Sequence, residues 1–438
     1  MDICVVGAGY VGLTTSAVLA KLGHTVWCCD RDDIKIASLL NGHIPIFEPG
    51  LEELVQQGTK NNRLFFSSDV PHCVEKCPVI MVAVGTPSAP DGTADLVYVK
   101  SVLLTVANGM QEPKTVIIKS TVPPGTGDWA QDFFLRRGVP KEWVEVVSNP
   151  EFLREGTAIH DSFHPDRILV GASSVQAGTL VASLYDGISA PVLHTGRTEA
   201  EMIKYGSNSF LAVKLSFINE LARLCEAFSA DITEVAKGIG MDERIGERFL
   251  QAGIGYGGSC LPKDVSALIA TAAGKGMGLK LLEAAAYVNE TQVQVYVSKL
   301  ERELGALKPG ISIAVWGAAF KENTDDLRYS KALVLMEELA AKGCGVTAYD
   351  PLSSPDMDGV QWAASQLEAL AGADALVVAT GWKQFVDADW HVVKAAMKGK
   401  LVVDGRNVLD RAAVEEAGLH YIGLGRPRKR ETEMSAAD

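Results

Sequence analysis

Short apolar runs of strand length alternate with longer, helix-like runs over the first part of the chain. The strand-like runs lie at residues 3–6, 25–29, 79–84, 116–119 and 144–147. Apolar runs of this length bounded by turn residues are typical of buried strands, and helical segments between them indicate βαβ units. The pattern therefore predicts a parallel sheet covered by helices.

A glycine-rich turn follows the first of these strands. Gly7, Gly9 and Gly12 form GxGxxG before a helical run, and Asp30 closes the next strand. In this context Gly7 makes a tight turn, Gly9 lets a pyrophosphate approach the backbone, and Gly12 packs helix on strand. Asp30 would accept hydrogen bonds from the adenosine ribose and repel a 2′-phosphate, so NAD is favoured over NADP as the cofactor.

The same alternation restarts after residue 310, with strand-like runs at 311–316, 345–350, 375–380 and 401–404. The first turn of this half, 317–321, lacks the second and third glycines, so we do not expect it to bind a dinucleotide in the same way. Lys321, Arg328 and Arg406 offer cations at strand ends for another phosphate ligand. Each of them alone is explained equally well as a solvated surface cation.

One long helical pattern, residues 198–229, separates the two halves. It is apolar around much of its circumference, and Thr198 and Glu201 have the spacing of a capping box. The predicted fold class is α/β, with two Rossmann-like domains with parallel sheets joined by a long central helix. We predict domains at 1–196, 197–300 and 301–425, followed by a charged, disordered tail at 426–438.

Polar side chains stand at the carboxyl ends of the predicted strands, where parallel sheets bind ligands. Thr86, Thr121, Glu151 and Glu155 occupy such positions. They could equally be ordinary turn residues one by one, but four such ends favour a functional interpretation. On the central helix, Lys204 and Asn208 are four residues apart and share a face, which on so apolar a helix indicates a site more than a solvated patch.

Residues 255–264, GYGGSCLPKD, place Cys260 after a glycine-rich loop. The glycines permit positive φ and close approach of a ligand. Pro262 and Asp264 indicate a helix start, and a thiolate is favoured near the positive end of a helix. The stretch alone fits either a nucleophilic cysteine or a turn with a buried, inert one.

Composition restricts the possible partners. Of the 438 residues 47% are hydrophobic and 22% charged, and the formal net charge of −13 argues against nucleic acid or an anionic membrane as a partner. The eight cysteines form no CxxC, and the histidines form no HxH or HExxH, which predicts no metal site and a reduced, cytoplasmic setting. No signal peptide and no apolar run of about 18–20 residues is present, so no membrane span is expected.

Motifs spread over nearly the whole chain, to about residue 412, resemble one family. They include GAGYVG, PIFEPGL, VGTPSAPDGTADL, STVPPGT, SNPEFLREG, GMDERIG, GYGGSCLPKD, FKENTDDLR and DGRNVLD. Together they resemble the nucleotide-sugar 6-dehydrogenases, the UDP-glucose/GDP-mannose dehydrogenase family. The resemblance implies an NAD-dependent oxidoreductase that acts on UDP-glucose, with GDP-mannose or UDP-N-acetylmannosamine as alternative substrates, and a homodimer.

The resemblance also implies roles for individual residues. Cys260 would be the nucleophile, and the other catalytic residues would be Lys204, Asn208, Asp264, Glu151 and Thr121. The implied NAD contacts are Gly7, Gly9, Tyr10, Val11, Gly12, Asp30, Lys35, Thr86, Thr121, Glu155, Lys263 and Arg328. The implied substrate contacts are Glu151, Phe152, Leu153, Arg154, Glu155, Lys204, Asn208, Phe249, Leu250, Gln251, Ala252, Gly253, Gly257, Lys321 and Arg406, with Arg244 reaching the substrate of a neighbouring subunit.

Two hypotheses compete with this one. A two-electron hydroxyacid dehydrogenase of similar fold would not need Cys260. A non-catalytic nucleotide-sensing or scaffold protein would be expected to have lost Cys260, Lys204 or Asp264, and all three are present.

Overall fold

A computed structural model of the chain describes residues 1–427 and divides into two compact units. The first unit comprises Met1–Asn208 and Lys263–Gly278, and the second comprises Ser209–Pro262 and the described residues from Leu279 onward. All but the first two residues of the predicted tail, 426–438, lie outside the described part of the chain.

The elements up to residue 195 alternate between strands and helices. In chain order they are β1 (Asp2–Val6), α1 (Tyr10–Lys21), β2 (Thr25–Cys29), α2 (Asp33–Leu40), α3 (Leu51–Lys60), β3 (Leu64–Ser67), α4 (Val70–Lys76), β4 (Val79–Val82), α5 (Val97–Gly109), β5 (Lys114–Ile118), α6 (Thr126–Arg136), a 3-10 turn (Lys141–Trp143), β6 (Val144–Ser148), α7 (Ala158–Phe163), β7 (Ile168–Gly171), α8 (Val175–Ser183) and β8 (Val192–Thr195).

A helical stretch and a second α/β alternation follow. The elements are α9 (Arg197–Phe228), α10 (Ile232–Gly240), α11 (Leu261–Ala273), α12 (Lys280–Glu290), α13 (Gln292–Leu304), β9 (Ser312–Trp316), α14 (Lys331–Ala341), β10 (Gly345–Tyr349), β11 (Val360–Trp362), a 3-10 turn (Glu368–Leu370), β12 (Ala375–Val378), α15 (Lys383–Val386), α16 (Trp390–Ala396), β13 (Leu401–Asp404), α17 (Arg411–Glu416) and β14 (His420–Gly423).

The first unit contains an eight-stranded sheet in the order β3-β2-β1-β4-β5-β6-β7-β8. Neighbouring strands are parallel except β6 and β7, which are antiparallel through Ser148 opposite Gly171. The first six strands follow the Rossmann order, so the predicted fold class is confirmed. The reversed direction of β7 and β8 is not foreseen by the hydrophobic pattern.

The second unit contains a six-stranded sheet, β11-β10-β9-β12-β13-β14, which repeats the same strand order with all neighbours parallel. In such sheets the strand order reverses between two central strands, and ligands bind at the carboxyl ends of the strands near that point. The reversal lies between β1 and β4 in the first sheet and between β9 and β12 in the second.

The inner strands of each sheet are buried on both faces, and successive strand residues point to opposite sides. In β1, Ile3 and Val5 join one apolar cluster while Cys4 and Val6 join another. In β9, Ile313 and Val315 likewise join one apolar cluster, while Ala314 and Trp316 join another. Continuous apolar strands are therefore required, and helices on both faces complete the cores.

The central helix α9 is 32 residues long, and the division between the two units falls within it, after Asn208. No helix among residues 1–427 combines the length and the apolarity needed to cross a membrane.

The predicted capping box at the start of α9 is wrong. The helix begins one residue before Thr198, whose hydroxyl donates to Asp128 Oδ2 over 3.0 Å. The Glu201 carboxylate accepts hydrogen bonds from the backbone N–H groups of Gly125 and Gly127, each at 2.7 Å. Glu201 therefore caps the start of α6 instead of its own helix.

Candidate active site

The turn after β1 needs glycine at two positions for packing and is open at the third. Gly7 has φ +111°, and a Cβ there would lie 2.5 Å from the Ala83 carbonyl oxygen. A Cβ on Gly12 would overlap the Gly7 carbonyl. A Cβ on Gly9 would meet no atom within 4 Å, so the space above this backbone can admit a ligand. The geometry suits the pyrophosphate of a dinucleotide.

Asp30 is held as a carboxylate beside this turn. Its Oδ2 accepts hydrogen bonds from the Ala8 N–H at 2.9 Å and from Lys35 Nζ at 3.0 Å. Partial burial opposes ionisation, but these hydrogen bonds outweigh it and hold the pKa of Asp30 below its ordinary value. An ionised acceptor is the form that a ribose diol requires, so the residues present fit NAD.

Tyr10, the fourth residue of the fingerprint, is hydrogen-bonded to Glu48, a carboxylate for which the sequence predicted no role. Its hydroxyl donates to Glu48, and the Gly156 N–H donates to Glu48 Oε2 at 2.6 Å and to Tyr10 Oη at 3.0 Å. Burial and the neighbouring Glu48 raise the pKa of Tyr10. Glu48 thus joins the glycine turn to the loop that carries Glu155. A contact between Tyr10 and a cofactor stays a prediction.

A hydrogen bond between Thr86 and Thr121, two of the predicted site residues, joins the segments that follow β4 and β5. The Thr86 hydroxyl donates to the Thr121 carbonyl oxygen over 2.8 Å, and Thr86 is buried. The two threonines therefore lie at adjoining strand ends, on the edge of the sheet where ligands bind.

A buried ion pair joins α9 to the loop after β6. Lys204 Nζ lies 3.3 Å from Glu151 Oε1, and both side chains are at most 5% exposed. The Leu153 N–H donates to the other Glu151 oxygen over 2.5 Å. Lys204 also lies 5.2 Å from the centre of the Phe152 ring. An ion pair this buried is costly to maintain without compensating contacts, which makes a functional role a good hypothesis.

Arg154, predicted to contact substrate, forms a close ion pair with Asp161, with Nη2 and Oδ1 2.6 Å apart. Arg167, which the sequence did not single out, places its guanidinium 3.9 Å from the centre of the Phe152 ring and donates to Ser207 Oγ over 3.1 Å. The loop after β6 is thus surrounded by cations in the first unit.

A second polar pair connects α9 with α11. Asn208 Nδ2 donates to Asp264 Oδ2 over 2.7 Å, and Lys263 Nζ lies 2.5 Å from Asp264 Oδ1. Asp264 is only 1% exposed. The first unit therefore brings together Lys204 and Asn208 on one helix with predicted catalytic carboxylates from two other segments.

Two further buried groups on the same stretch of α9, the Tyr205 hydroxyl and the Glu201 carboxylate, were not predicted from the sequence to belong to the site. The Tyr205 hydroxyl is buried and has no hydrogen-bond partner among residues 1–427. Glu201 accepts a 2.8 Å hydrogen bond from Ser148 Oγ in addition to its two backbone donors. Burial raises the pKa of Glu201 to about 7, although these donors oppose the shift. The spacing of Glu201 and Lys204 gave a helical-face signal that could have indicated Glu201.

Cys260 lies in the second unit, directly before α11. It is partly exposed, whereas the other seven cysteines are buried, and its Sγ is 3.5 Å from Ser259 Oγ. A thiol at a helix start is placed where the thiolate is favoured. Among residues 1–427 no group of three or more His, Cys, Asp or Glu side chains could hold a metal ion.

The glycines before Cys260 are required by packing as well as by backbone conformation. Gly255 and Gly258 have φ of +110° and +82°. A Cβ on Gly258 would lie 2.7 Å from the Phe320 ring, and one on Gly257 would overlap the Tyr329 carbonyl oxygen. For Gly257 and Gly258 the close approach therefore involves the chain segment 320–329 of the same unit, and the ligand contact predicted for Gly257 stays a prediction.

The predicted phosphate-binding cations of the second unit have intramolecular partners. Arg406 donates from Nε to the Ala379 carbonyl at 2.8 Å, from Nη1 to the Gly255 carbonyl at 3.3 Å, and from Nη2 to the Phe320 carbonyl. Arg328 Nη2 lies 2.6 Å from Asp326. Lys321 lies 5.7 Å from the centre of the adjacent phenylalanine ring. Their contacts with a phosphate stay predictions.

The turn after β9 repeats the geometry of the first turn, but the acid in the position of Asp30, Asp350, is buried. Ala318 N–H donates to Asp350 Oδ2 at 2.8 Å, as Ala8 does to Asp30. Asp350 is buried, and Trp382 Nε1 also donates to it at 3.2 Å. This supports the expectation that the second domain does not bind a dinucleotide as the first does.

The segment 249–253 has an unusual backbone conformation. Phe249 has φ +64°, which is uncommon for a bulky residue and often marks functional segments. Leu250 and Ala252 are buried, whereas Gln251 is exposed. Arg244, predicted to reach a neighbouring subunit, is 88% exposed at its side chain and 2.5 Å from Asp242.

Comparison with known proteins assigns the chain to a family. Residues 1–189 match the NAD binding domain of the UDP-glucose/GDP-mannose dehydrogenase family, residues 198–291 its central domain and residues 314–411 its UDP binding domain. A UDP-glucose 6-dehydrogenase of Rhizobium meliloti (strain 1021) is 43% identical over 437 residues, which cover 98% of this chain and 100% of the relative.

Two solved structures are similar over 97% of this chain. A UDP-glucose dehydrogenase of Pyrobaculum islandicum has a TM-score of 0.90 and 36% identity, with 97% of its own chain covered. A UDP-D-ManNAc dehydrogenase of Pyrococcus horikoshii has a TM-score of 0.87 and 29% identity, with 99% covered.

The fold and the domain matches define an NAD-binding oxidoreductase with a UDP-sugar-binding domain. The chain belongs to the UDP-glucose/GDP-mannose dehydrogenase family.

Proposed function

We propose that the chain oxidises UDP-glucose to UDP-glucuronate with two NAD⁺ consumed per turnover. The observation that carries the proposal is Cys260, which alone of the eight cysteines is not buried and stands at the start of a helix. A two-electron dehydrogenase has no use for such a thiol, whereas a four-electron enzyme must retain an aldehyde between two oxidations.

UDP-glucose is favoured over the other substrates of the family by the comparisons. The relatives named for UDP-glucose are 43% and 36% identical, and the UDP-D-ManNAc dehydrogenase is 29% identical. GDP-mannose and UDP-N-acetylmannosamine are the alternatives.

The proposed chemistry follows from electron count. Oxidation of a primary alcohol to a carboxylate removes four electrons as two hydrides, and bound NAD⁺ accepts one hydride at a time. The Cys260 thiolate adds to the aldehyde left by the first oxidation and forms a thiohemiacetal. Loss of a second hydride and the hydroxyl proton gives a thioester. Water then releases the carboxylate and returns the thiol.

Five side chains of the first unit have proposed roles in these steps. Lys204 and Asn208 stabilise negative charge on the carbon-6 oxygen. Asp264, through a water, or Lys204 itself removes the proton in the first oxidation. Glu151, assisted by Thr121, activates the water that cleaves the thioester. The burial of Glu151 and Asp264 and their hydrogen bonds support these roles by restricting each carboxylate to one position.

The proposed binding residues divide into contacts with the cofactor and contacts with the UDP-sugar. In the first unit the fingerprint glycines, Asp30, Lys35, Thr86, Glu155 and Lys263 are proposed cofactor contacts, and Arg328 of the second unit is a further one. The segments 151–155 and 249–253, with Gly257, Lys321 and Arg406, are proposed to hold the UDP-sugar, and Arg244 to reach the substrate of a partner subunit.

We propose a homodimer formed through the part of α9 that follows Asn208. Phe210, Phe217, Leu224 and Phe228 recur at intervals of seven, seven and four residues, and each is at least half exposed. A stripe of large apolar side chains at helical spacing is typical of an interface. Since all eight cysteines are free thiols, the cytoplasm is the proposed location.

The test is a substrate panel with the purified chain. UDP-glucose, UDP-N-acetylmannosamine and GDP-mannose are each supplied at limiting concentration with excess NAD⁺, and the NADH formed per sugar is measured. We expect two NADH and UDP-glucuronate from UDP-glucose. One NADH with an aldehyde product would contradict the four-electron reaction, and preference for another sugar would reassign the substrate.

A further inference from the structure

The loop that leads to Cys260 is fixed by one amide side chain at its centre. The Tyr256 N–H donates to Asn289 Oδ1 over 2.8 Å, and Asn289 Nδ2 donates to the Tyr256 carbonyl over 3.0 Å. Asn289 is buried near the end of α12. One side chain therefore satisfies both backbone groups of a single loop residue, which sets the position and the register of the loop.

A second pair of amides holds the loop three residues earlier. The Gly253 N–H donates to Asn219 Oδ1 at 2.8 Å, and Gln292 Nε2 donates to the Gly253 carbonyl at 2.7 Å. Gln292 is fully buried, and its Oε1 accepts from Arg223 Nη2 at 2.5 Å. These hydrogen bonds hold the loop at Gly253, and those of Asn289 hold it at Tyr256, nearer to the thiol.

The loop needs such anchors because its glycines leave the backbone conformationally free. Gly255, Gly257 and Gly258 have few intrinsic restraints, and ordering each residue costs about 1–2 kcal/mol of conformational entropy. Only three residues separate Tyr256 from Cys260, so a constraint on the Tyr256 backbone acts close to the thiol. The Gly258 N–H also donates a hydrogen bond to the Arg328 carbonyl at 2.8 Å, which adds a further anchor.

We propose that Asn289 is a positioning residue that fixes the Cys260 sulfur at the start of α11 by clamping the Tyr256 backbone. The proposal rests on the proposed function, in which Cys260 is the nucleophile. Loss of the clamp lets the thiol move away from the helix start, where the thiolate is favoured, and from the geometry needed for addition to the aldehyde.

The test compares N289A with Q131A in the full chain. Gln131 also makes two hydrogen bonds to the backbone, from Nε2 to the Val144 carbonyl and from the Val146 N–H to Oε1, both at 3.0 Å. It lies on α6, away in sequence from the loop before Cys260. Because the other seven cysteines are buried, carboxymethylation of the native chain by iodoacetate, located by peptide mass spectrometry, reports on Cys260.

We expect N289A to move the pH midpoint of Cys260 carboxymethylation upward, toward about 8.5 as in free cysteine. We also expect kcat for acid formation to fall about 100-fold while KM for both substrates changes little, since a displacement of 1 Å can have that effect. Q131A should change neither. An unchanged midpoint and kcat in a folded N289A, or the same changes in Q131A, would overturn the proposal.

Two additions keep the test decisive. If N289A does not fold, N289D retains the acceptor for the Tyr256 N–H but lacks the donor, and it must show the same shifts for the proposal to stand. The carboxymethylation midpoint needs no turnover, so it tests the clamp even if Cys260 proves not to be the nucleophile. In that case C260S would still form the acid, which is a separate failure.

Discussion

The Asn208 amide and the Asp264 carboxylate share a 2.7 Å hydrogen bond in the interior of the first unit. Asp264 also contacts Lys263 Nζ and is almost completely buried, so its charge is held by neighbours in place of water. A carboxylate fixed in this way can orient a water or accept a proton without first reorganising solvent.

The first prediction concerns the charge of Asp264. D264N preserves the shape of the side chain but removes the proposed base, so kcat should fall by a factor of about 10²–10⁴. Steady-state kinetics with UDP-glucose measure the effect. D387N is the control, because Asp387 forms an exposed pair with Lys383 at 2.6 Å. Equal kcat values for D264N and D387N would exclude Asp264 from the chemistry.

The second prediction separates stability from catalysis at the buried ion pair. K204M leaves the Glu151 carboxylate buried without its cation and should lower the free energy of unfolding by about 3–5 kcal/mol. K204M/E151Q removes both charges and should recover most of that stability while remaining inactive. Urea unfolding and NADH production measure the two properties. Recovery of activity in the double variant would show that the pair is structural only.

The third prediction concerns pH and Glu201. The pKa of Glu201 is about 7 in the folded chain against an ordinary 4.5, so the folded state binds the proton more tightly than the unfolded state. The contribution of Glu201 to stability is therefore fully present below pH 4.5 and is lost as the pH rises through 7, by at most about 3 kcal/mol. Urea unfolding of the wild type and E201Q over this range measures the difference.

E201Q cannot titrate at this position, so its stability should fall less over the same pH range. Parallel curves for E201Q and the wild type would show that Glu201 has an ordinary pKa in the folded chain. Activity is a second readout, because Glu201 holds the Gly125 and Gly127 backbone next to the loop of Thr121.

How much of this site the sequence predicts depends on the range of the interactions. The glycine turn and Asp30 are predictable because the motif is local, and the structure confirms the fold in which they lie. The close packing of Gly7 and Gly12 follows from the same spacing. The pairing of Lys204 and Asn208 with residues of the first unit is suggested only by their helical spacing.

The remaining features depend on contacts between distant parts of the chain. Glu201 has the spacing of a local cap, but its oxygens bind backbone about 75 residues earlier, so the local rule fails. Asn289 lies in an ordinary helical pattern and carries no motif, although it holds the loop before Cys260. Nothing in the local sequence marks such residues, because their partners are fixed by the folded sheet and helices.

The fourth prediction concerns the apolar stripe on α9. F217E places a charge among exposed apolar side chains and should shift the protein from dimer to monomer without unfolding it. V175E is the control, because Val175 is also exposed but lies on α8. Sedimentation velocity gives the mass of each variant. A dimer that persists in F217E, and in F210E/F217E, would place the interface elsewhere.

The central claim is that Cys260 retains the aldehyde between two oxidations, and C260S tests it most directly. A serine hydroxyl is a far weaker nucleophile than a thiolate, so the variant should bind NAD⁺ normally but form no UDP-glucuronate. The measurement is product analysis by mass spectrometry after prolonged incubation with UDP-glucose and NAD⁺. We predict at most one NADH per sugar and no acid; UDP-glucuronate formed at the wild-type rate would contradict the account.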